Sequence, residues 1–188
     1  MAATHPQPVL IHAGQPGGYL LDVHACASYG DRFTVLEADT VCYPGSLRNF
    51  LLLADQLGDR HDLCVGVAPA VANPNGPALV SDRDGRITAM SWHAQPSGLV
   101  PLAAWHWSAR LLEAAPPFAQ RTGSTSTADY VTWAVQRGAA VAGIGIPAGV
   151  NINTPADLGA ARSGAAGWLA PTATITDESL TDDRRLAS

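Results

Sequence analysis

The sequence contains no lysine, so its positive side-chain charge comes from arginine alone. Eleven arginines stand against 16 acidic residues, which gives a formal net charge of −5 at pH 7. Neutralisation of phosphates by basic side chains dominates the affinity of proteins for nucleic acids, and no basic stripe or cluster supplies it here. We therefore expect no nucleic-acid partner.

Cysteine is also scarce. Only Cys26, Cys42 and Cys64 occur, and they are widely spaced without CxxC or Cys/His spacing, which argues against a disulfide scaffold or a zinc site. Residues 1–8 lack the charged-then-apolar pattern of a signal peptide, and no apolar run approaches the roughly 20 residues that span a bilayer. These absences predict a cytoplasmic protein with reduced thiols and no membrane partner.

The composition that remains is that of one folded domain. The 188 residues are 47% hydrophobic and only 14% charged, which is too apolar and too weakly charged for a disordered chain. At this length, folding buries about 70% of the surface that the unfolded chain exposes. A core without disulfides or a structural metal is therefore expected.

The first half of the chain alternates strand-like and helix-like patterns. Apolar strand runs are predicted at 8–12, 32–38 and 62–68, with helices at 19–29 and 47–57 between them. Ser46 is the predicted N-cap of the second helix, and Gly58 stands at its C-terminal end. This β-α-β-α-β order is typical of a mainly parallel sheet covered by helices.

The second half begins with a hairpin. Strands at 78–81 and 86–90 flank Asp84 and Gly85, a dipeptide that favours the positive φ angles of a tight turn. The remaining predicted elements are a strand at 99–107, a helix at 108–115 ended by Pro116 and Pro117, a helix at 127–137, a strand at 139–146 and a helix at 155–166 capped by Thr154. Residues 168–188 are interpreted as a polar C-terminal tail.

Four segments, in this order and spacing, resemble one family. They are 16–21 (PGGYLL), 34–39 (TVLEAD), 76–87 (GPALVSDRDGRI) and 151–158 (NINTPADL). Together they resemble the sugar-1-phosphate nucleotidyltransferases and the related molybdopterin-cofactor NTP transferases. The resemblance implies a three-layer α/β/α domain over residues 1–167, with a mainly parallel, mixed sheet of the Rossmann-like, GT-A-like type.

The resemblance also implies a Mg²⁺ site. In the family, the Asp that ends the central strand holds the cation, and that position is Asp39 here; a second metal carboxylate corresponds to Asn151. A carboxylate suits a hard cation, and the carboxyl ends of parallel strands are where α/β sheets place their ligands. A plain turn after the strand is the simpler interpretation of Asp39.

Further positions follow from the resemblance. Gly17 and Gly18 correspond to family positions at which the backbone comes close to the nucleotide. A simple strand–helix turn explains the two glycines equally well. Gly76, His93 and His106 correspond to the border of the sugar or acceptor pocket. Trp105 and Trp107 are two residues apart on a strand, so they share one face while His106 takes the other. Core packing is the favoured role for these two tryptophans.

Three departures from the family pattern bear on catalysis. The family's opening glycine-rich phosphate loop has no counterpart, so by alignment the chain is expected to begin near the family's third strand. Asn151 brings an amide where the family has a carboxylate, and neither family lysine has a counterpart. Because nucleotidyl transfer depends on electrostatic stabilisation of developing charge, these losses predict weak catalysis at most.

Several functions stay open on this evidence. The first is a nucleotidyltransferase-like protein that binds a nucleoside triphosphate or nucleotide sugar, with its transfer chemistry impaired in this chain alone. The second is a pseudoenzyme kept as a binding, regulatory or assembly subunit, in which a protein partner or second copy covers the exposed sheet. The third is a GT-A-like glycosyltransferase that uses Glu37 and Asp39 as a paired-acid metal motif. Translation from a start site further upstream, which would restore the missing loop, is a further alternative.

Overall fold

A computed structural model describes residues 19–92, 98–147 and 149–168. It contains helices α1 (Tyr19–Ala25), α2 (Pro44–Leu57), α3 (Ala109–Leu112), α4 (Ala115–Thr122), α5 (Thr127–Val135) and α6 (Pro155–Trp168). The strands are β1 (Arg32–Leu36), β2 (Thr40–Cys42), β3 (Leu63–Pro69), β4 (Ala78–Ser81), β5 (Ile87–Ser91), β6 (Leu99–Ser108), β7 (Val141–Gly145) and β8 (Gly149–Asn151).

Four of the strands form the main sheet, in the order β1-β6-β3-β7. The β3–β7 pair is parallel, whereas β6 runs antiparallel to both of its neighbours. Strands β1, β3 and β7 therefore share one direction, and the sheet is mixed, as expected. Six consecutive buried residues in β3 identify it as an interior strand covered on both faces.

Two hydrophobic clusters cover the two faces of this sheet and make the domain three-layered. Trp105 and Trp107 project to one face, where they stack with ring centroids 6.0 Å apart and join side chains from α1, α4 and α5. Ala104 projects to the other face and packs in a cluster with Phe50 and Ala54 of α2. The shared face predicted for Trp105 and Trp107 is confirmed.

Two small ladders lie outside the main sheet. The predicted hairpin forms as β4 and β5, and Gly85 in its turn has a φ of +77°. Its Asp82 carboxylate accepts hydrogen bonds from the backbone N–H groups of Asp84 and Arg86, so it orders a solvated turn. The second ladder, an antiparallel pairing of β2 with β8, has no counterpart in the sequence predictions.

Two of the predicted helix boundaries are wrong, and proline explains both. Helix α2 begins at Pro44, with Tyr43 as N-cap, so Ser46 lies in its first turn. Pro116 and Pro117 do not end a helix; they occupy the first turn of α4, where the missing N–H costs no hydrogen bond. The helix predicted at 108–115 is instead the short α3 followed by the start of α4.

Two other predictions lie outside the described residues: the strand at 8–12 and the tail beyond α6. None of the described helices combines the length and apolarity needed to cross a membrane.

Candidate functional site

A cleft of about 950 Å³ opens where the end of β1 meets the segment preceding α5. Its walls come from the turn after β1, from β6, from the end of β5 and from residues 123–128. Apolar side chains such as Val35 and Met90 line much of it, with a few polar groups among them. Ligand sites commonly have this character, a concave apolar surface with a few orienting polar groups.

Asp39 and Asn151 meet at one wall of this cleft. Strand β1 ends at Leu36, two residues earlier than predicted, and Asp39 lies in the turn before β2. The β2–β8 ladder pairs Thr40 with Asn151, and the backbone N–H of Ile152 donates to the carbonyl of Asp39 at 2.7 Å. Both Asp39 and Asn151 line the cleft, and the Asp39 side chain is exposed. Two segments that are far apart in the sequence are thus brought together.

Glu37 lies in the same wall but is engaged by the protein itself. Its Oε1 accepts from the indole Nε1 of Trp105 at 2.8 Å, and its Oε2 accepts from the backbone N–H of Ala103 at 3.2 Å. The backbone N–H of Glu37 donates in return to the carbonyl of Ala103 at 2.8 Å. Burial raises the pKa of Glu37, hydrogen bonding from Trp105 opposes this, and the negative charge of Asp39 adds to the increase.

This contact holds an unusual backbone conformation. Ala103 has a φ of +68°, and among the described residues it alone has a positive φ without being glycine. Across the sheet, the register of β3 on β6 shifts between Val65 and Val67. A Cβ added at Gly66 would lie 2.4 Å from the carbonyl oxygen of Leu102, so glycine is required there. Glu37 therefore fixes a bulged stretch of β6 that forms part of the cleft wall.

Tyr19, the first described residue, lines the cleft and has a buried hydroxyl. Its oxygen is inaccessible to solvent and has no hydrogen-bond partner among the described residues. Burial raises the pKa of Tyr19, and the negative charges of Glu37 and Asp39 raise it further. The phenol therefore stays protonated and can donate a hydrogen bond. Sequence reasoning did not select this residue.

A polar segment before α5 forms another part of the lining. Ser126 caps this helix, accepting from the backbone N–H of Asp129 at 3.3 Å. Ser124 donates to the Asp129 carboxylate at 2.7 Å. The indole Nε1 of Trp92 donates to Oγ of Ser126 at 3.2 Å. Trp92 is 54% exposed and lines the cleft, although sequence reasoning passed over it.

Of the residues predicted for the sugar or acceptor pocket, Gly76 and His106 are described, and they lie in different parts of the structure. Gly76 is buried at a turn between Asn73 and Pro77, which both line the cleft. A Cβ added at Gly76 would lie 2.5 Å from Nδ2 of Asn73, so a side chain there would displace that amide. Gly17, Gly18 and His93 lie outside the described residues.

His106 is not brought to the cleft. It projects to the α2 face of the sheet, where its Nδ1 lies 2.9 Å from Oγ1 of Thr34. Burial lowers the pKa of His106, the positive charge of Arg32 lowers it further, and Asp55 opposes the shift. The alternation that takes Trp105 to the cleft side takes its neighbour to the opposite face.

The donor set at Asp39 and Asn151 fits a cation whose coordination is completed by a ligand. The described residues contain no cluster of three or more His, Cys, Asp or Glu side chains able to hold a metal ion. Mg²⁺ in proteins commonly takes one or two carboxylates, with waters and substrate phosphates completing its shell. Asp39 offers one exposed carboxylate, and the amide oxygen of Asn151, which accepts from Oγ1 of Thr40 at 3.5 Å, belongs to a residue of the same wall. This arrangement predicts weak metal binding in the absence of ligand.

No protein-family model matches the chain, and no curated protein matches it in sequence. Solved structures do match. The inositol-1-phosphate CTP transferase from T. maritima superposes with a TM-score of 0.62 at 16% identity, over 75% of this chain and 58% of that one. The fold is that of the nucleotidyltransferases.

Other structures with this nucleotidyltransferase fold agree. A UDP-glucose pyrophosphorylase complexed with UDP-glucose has a TM-score of 0.61 at 13% identity, over 82% of this chain and 64% of that one. The UTP-bound UGPase from Acinetobacter baumannii has a TM-score of 0.58 at 14% identity, over 80% and 57%. The chain thus spans about three fifths of the length of these proteins. At such low identity the likeness establishes the fold, and activity needs separate evidence.

Proposed function

We propose that the cleft binds a nucleoside triphosphate or a nucleotide sugar, with Mg²⁺ held between the Asp39 carboxylate and the ligand's phosphates. The observation that carries the proposal is the β2–β8 ladder, which places Asp39 and Asn151 together at the cleft wall. Solved structures of the same fold include complexes with UTP and with UDP-glucose. A bound Mg²⁺ would supply positive charge to the phosphates at this wall.

Each polar residue of the wall has a distinct proposed role. Asp39 contributes the anionic ligand, and Asn151 contributes a neutral oxygen that orients the cation without further offsetting its charge. Tyr19 contributes its ring to the wall, because its hydroxyl oxygen has no accessible surface through which a ligand could reach it. Glu37 positions the wall, because its carboxylate accepts hydrogen bonds from Trp105 and from the backbone of Ala103.

For this chain by itself, nucleotide binding is proposed in preference to rapid nucleotidyl transfer. The chain has no lysine, and no arginine or histidine occurs among the described residues of the cleft lining. Loss of one stabilising donor to a transition state commonly lowers the rate by about 10²–10³. A binding or regulatory subunit is therefore the second candidate, and a protein partner or second copy covering the sheet is part of that proposal. Among the described strands, β1 lies at one edge of the main sheet, with half-exposed Leu36 at its end, which is where such a partner would pair.

The paired-acid glycosyltransferase hypothesis is less well supported. It needs Glu37 and Asp39 to present carboxylates to one cation. The hydrogen bonds from Trp105 and Ala103 hold the Glu37 carboxylate against β6, and no such contact joins it to Asp39.

Calorimetric titration with a panel of nucleoside triphosphates and nucleotide sugars tests the proposal, with Mg²⁺ and with a chelator. At least one ligand is expected to bind only in the presence of Mg²⁺. Asp39→Asn is expected to weaken the binding of that ligand more than about tenfold. Asp59→Asn is the matched control, because Asp59 is exposed and lies outside the cleft lining. Absence of binding across the panel would refute the proposal and leave a likeness of fold alone.

A further inference from the structure

The indole of Trp92 is exposed to solvent and yet held in place by a hydrogen bond, and none of the roles given above explains this. It directly follows β5 and lines the cleft, and 54% of its surface is exposed. The hydrogen bond from its Nε1 to Ser126 holds one edge of the indole at the N-cap of α5. A large aromatic surface is thus kept open at the mouth of a concave site.

Both elements that carry this indole are tied to each other. Oγ1 of Thr132, in α5, donates to the carbonyl of Met90 at 2.7 Å and accepts from its N–H at 2.8 Å. The end of β5 is therefore fixed to α5 only two residues before Trp92. Because the side chain is positioned before a ligand arrives, little conformational entropy is lost when a ring stacks on it.

The polar groups around the indole suit an uncharged ligand. Ser126 accepts hydrogen bonds from Trp92 and from the N–H of Asp129, which leaves its own proton to donate. The charged side chains of the described lining are the carboxylates of Glu37 and Asp39, so an anionic group beside the indole meets no cationic side chain there.

We propose that Trp92 is the stacking platform for the sugar ring of a nucleotide sugar, with the hydroxyl group of Ser126 as a hydrogen-bond partner of the ring. The C–H face of a sugar lies on the apolar indole surface, and its hydroxyl groups find uncharged partners at the rim. The assignment rests on the proposed function, since it places the sugar half of that ligand. It makes Trp92 and Ser126 determinants of specificity for an uncharged, polyhydroxylated ring.

The test measures dissociation constants for three ligands with wild type, Trp92→Ala, Trp92→Phe and Ser126→Ala. The ligands are the tightest nucleotide sugar of a panel that includes UDP-glucose, its matching nucleoside diphosphate without the sugar, and the free sugar in chelator. Trp92→Ala is expected to raise the dissociation constant of the nucleotide sugar about tenfold. The dissociation constant of the nucleoside diphosphate should change by less than about twofold. Trp92→Phe, which keeps a flat ring, should retain most of the affinity. Val71→Ala is the control, because Val71 is 85% exposed and lies outside the lining.

The outcomes separate this inference from the proposed function. Unchanged binding of the nucleotide sugar by a Trp92→Ala protein with wild-type melting behaviour overturns the platform. Equal weakening of the nucleoside diphosphate overturns the assignment to the sugar, since the ring would then hold the base. If no nucleotide binds but the free sugar binds in a Trp92-dependent manner, the proposed function fails while the platform stands. Wild-type protein that binds none of the three ligands overturns both.

Discussion

Replacement of Glu37 is expected to destabilise the protein while leaving any metal dependence of ligand binding intact. Its carboxylate accepts from the N–H of Ala103 and the indole of Trp105, and both of those residues are only 4% exposed. In the Glu37→Ala variant both donors lose their partner. In Glu37→Gln the amide oxygen keeps one of them, and the amide N–H₂ then faces the other donor.

The magnitude follows from the number of donors left without an acceptor. A buried N–H without a partner costs about 1–3 kcal/mol, so Glu37→Gln is expected to lower the free energy of unfolding by about 1–2 kcal/mol. Glu37→Ala should lower it by about 2–4 kcal/mol. This loss is smaller than twice the largest cost of one unpaired N–H, because Glu37 lines the cleft and water can replace part of the lost hydrogen bonding.

Urea denaturation of the two variants beside wild type measures these changes, with Asp39→Asn as the matched control. Asp39 is exposed, so its replacement should change stability by less than about 0.5 kcal/mol. Wild-type stability in Glu37→Ala would refute the positioning role. A stably folded Glu37→Gln protein that lost the Mg²⁺ dependence of ligand binding would make Glu37 a metal ligand and restore the glycosyltransferase hypothesis.

Two further predictions concern the packing around the site. Thr132→Val removes both hydrogen bonds to buried Met90 and should lower the free energy of unfolding in urea by about 2–4 kcal/mol. Thr88→Val, which loses one exposed hydrogen bond, should lower it by less than about 0.5 kcal/mol. Equal losses of stability in the two variants would refute the account of the β5–α5 contact. Burial raises the pKa of Cys64 to about 11, so only about one in a thousand of its thiols is ionised at pH 8. Partly exposed Cys42 should therefore react first with a thiol reagent in the native protein, and rapid labelling of Cys64 at that pH would contradict the structure.

The sequence predicted those parts of the fold whose signals are local. The β4–β5 hairpin formed around Asp84 and Gly85 because the turn residues themselves set the backbone angles. The cap of α6 formed as predicted, with Oγ1 of Thr154 accepting from the N–H of Asp157 at 3.2 Å. The β2–β8 ladder was missed because each strand has three residues and their pairing joins distant parts of the chain, which no local pattern records.

For the candidate site, the resemblance brought Asp39 and Asn151 to attention, and the structure brings them together. Their roles remain predictions. Glu37 was noted for its carboxylate alone, because its engagement by Trp105 and Ala103 depends on tertiary contacts and on a positive φ within a strand. Trp92 carried one readable signal, a large aromatic residue two positions after a predicted hairpin strand, but its exposure at a cleft appears only in three dimensions.

Cooperation between metal and ligand tests the central claim most directly. Mg²⁺ is titrated into the protein alone and into the protein saturated with its tightest nucleotide ligand, for wild type and for Asp39→Asn. Asp39 is the one carboxylate proposed to coordinate Mg²⁺ at the wall, so Mg²⁺ alone is expected to bind weakly. The bound nucleotide is expected to tighten the binding of Mg²⁺ in wild type only. Ligand binding that is equally tight in chelator, or that is unchanged in Asp39→Asn, would contradict a metal-assisted nucleotide site in this cleft.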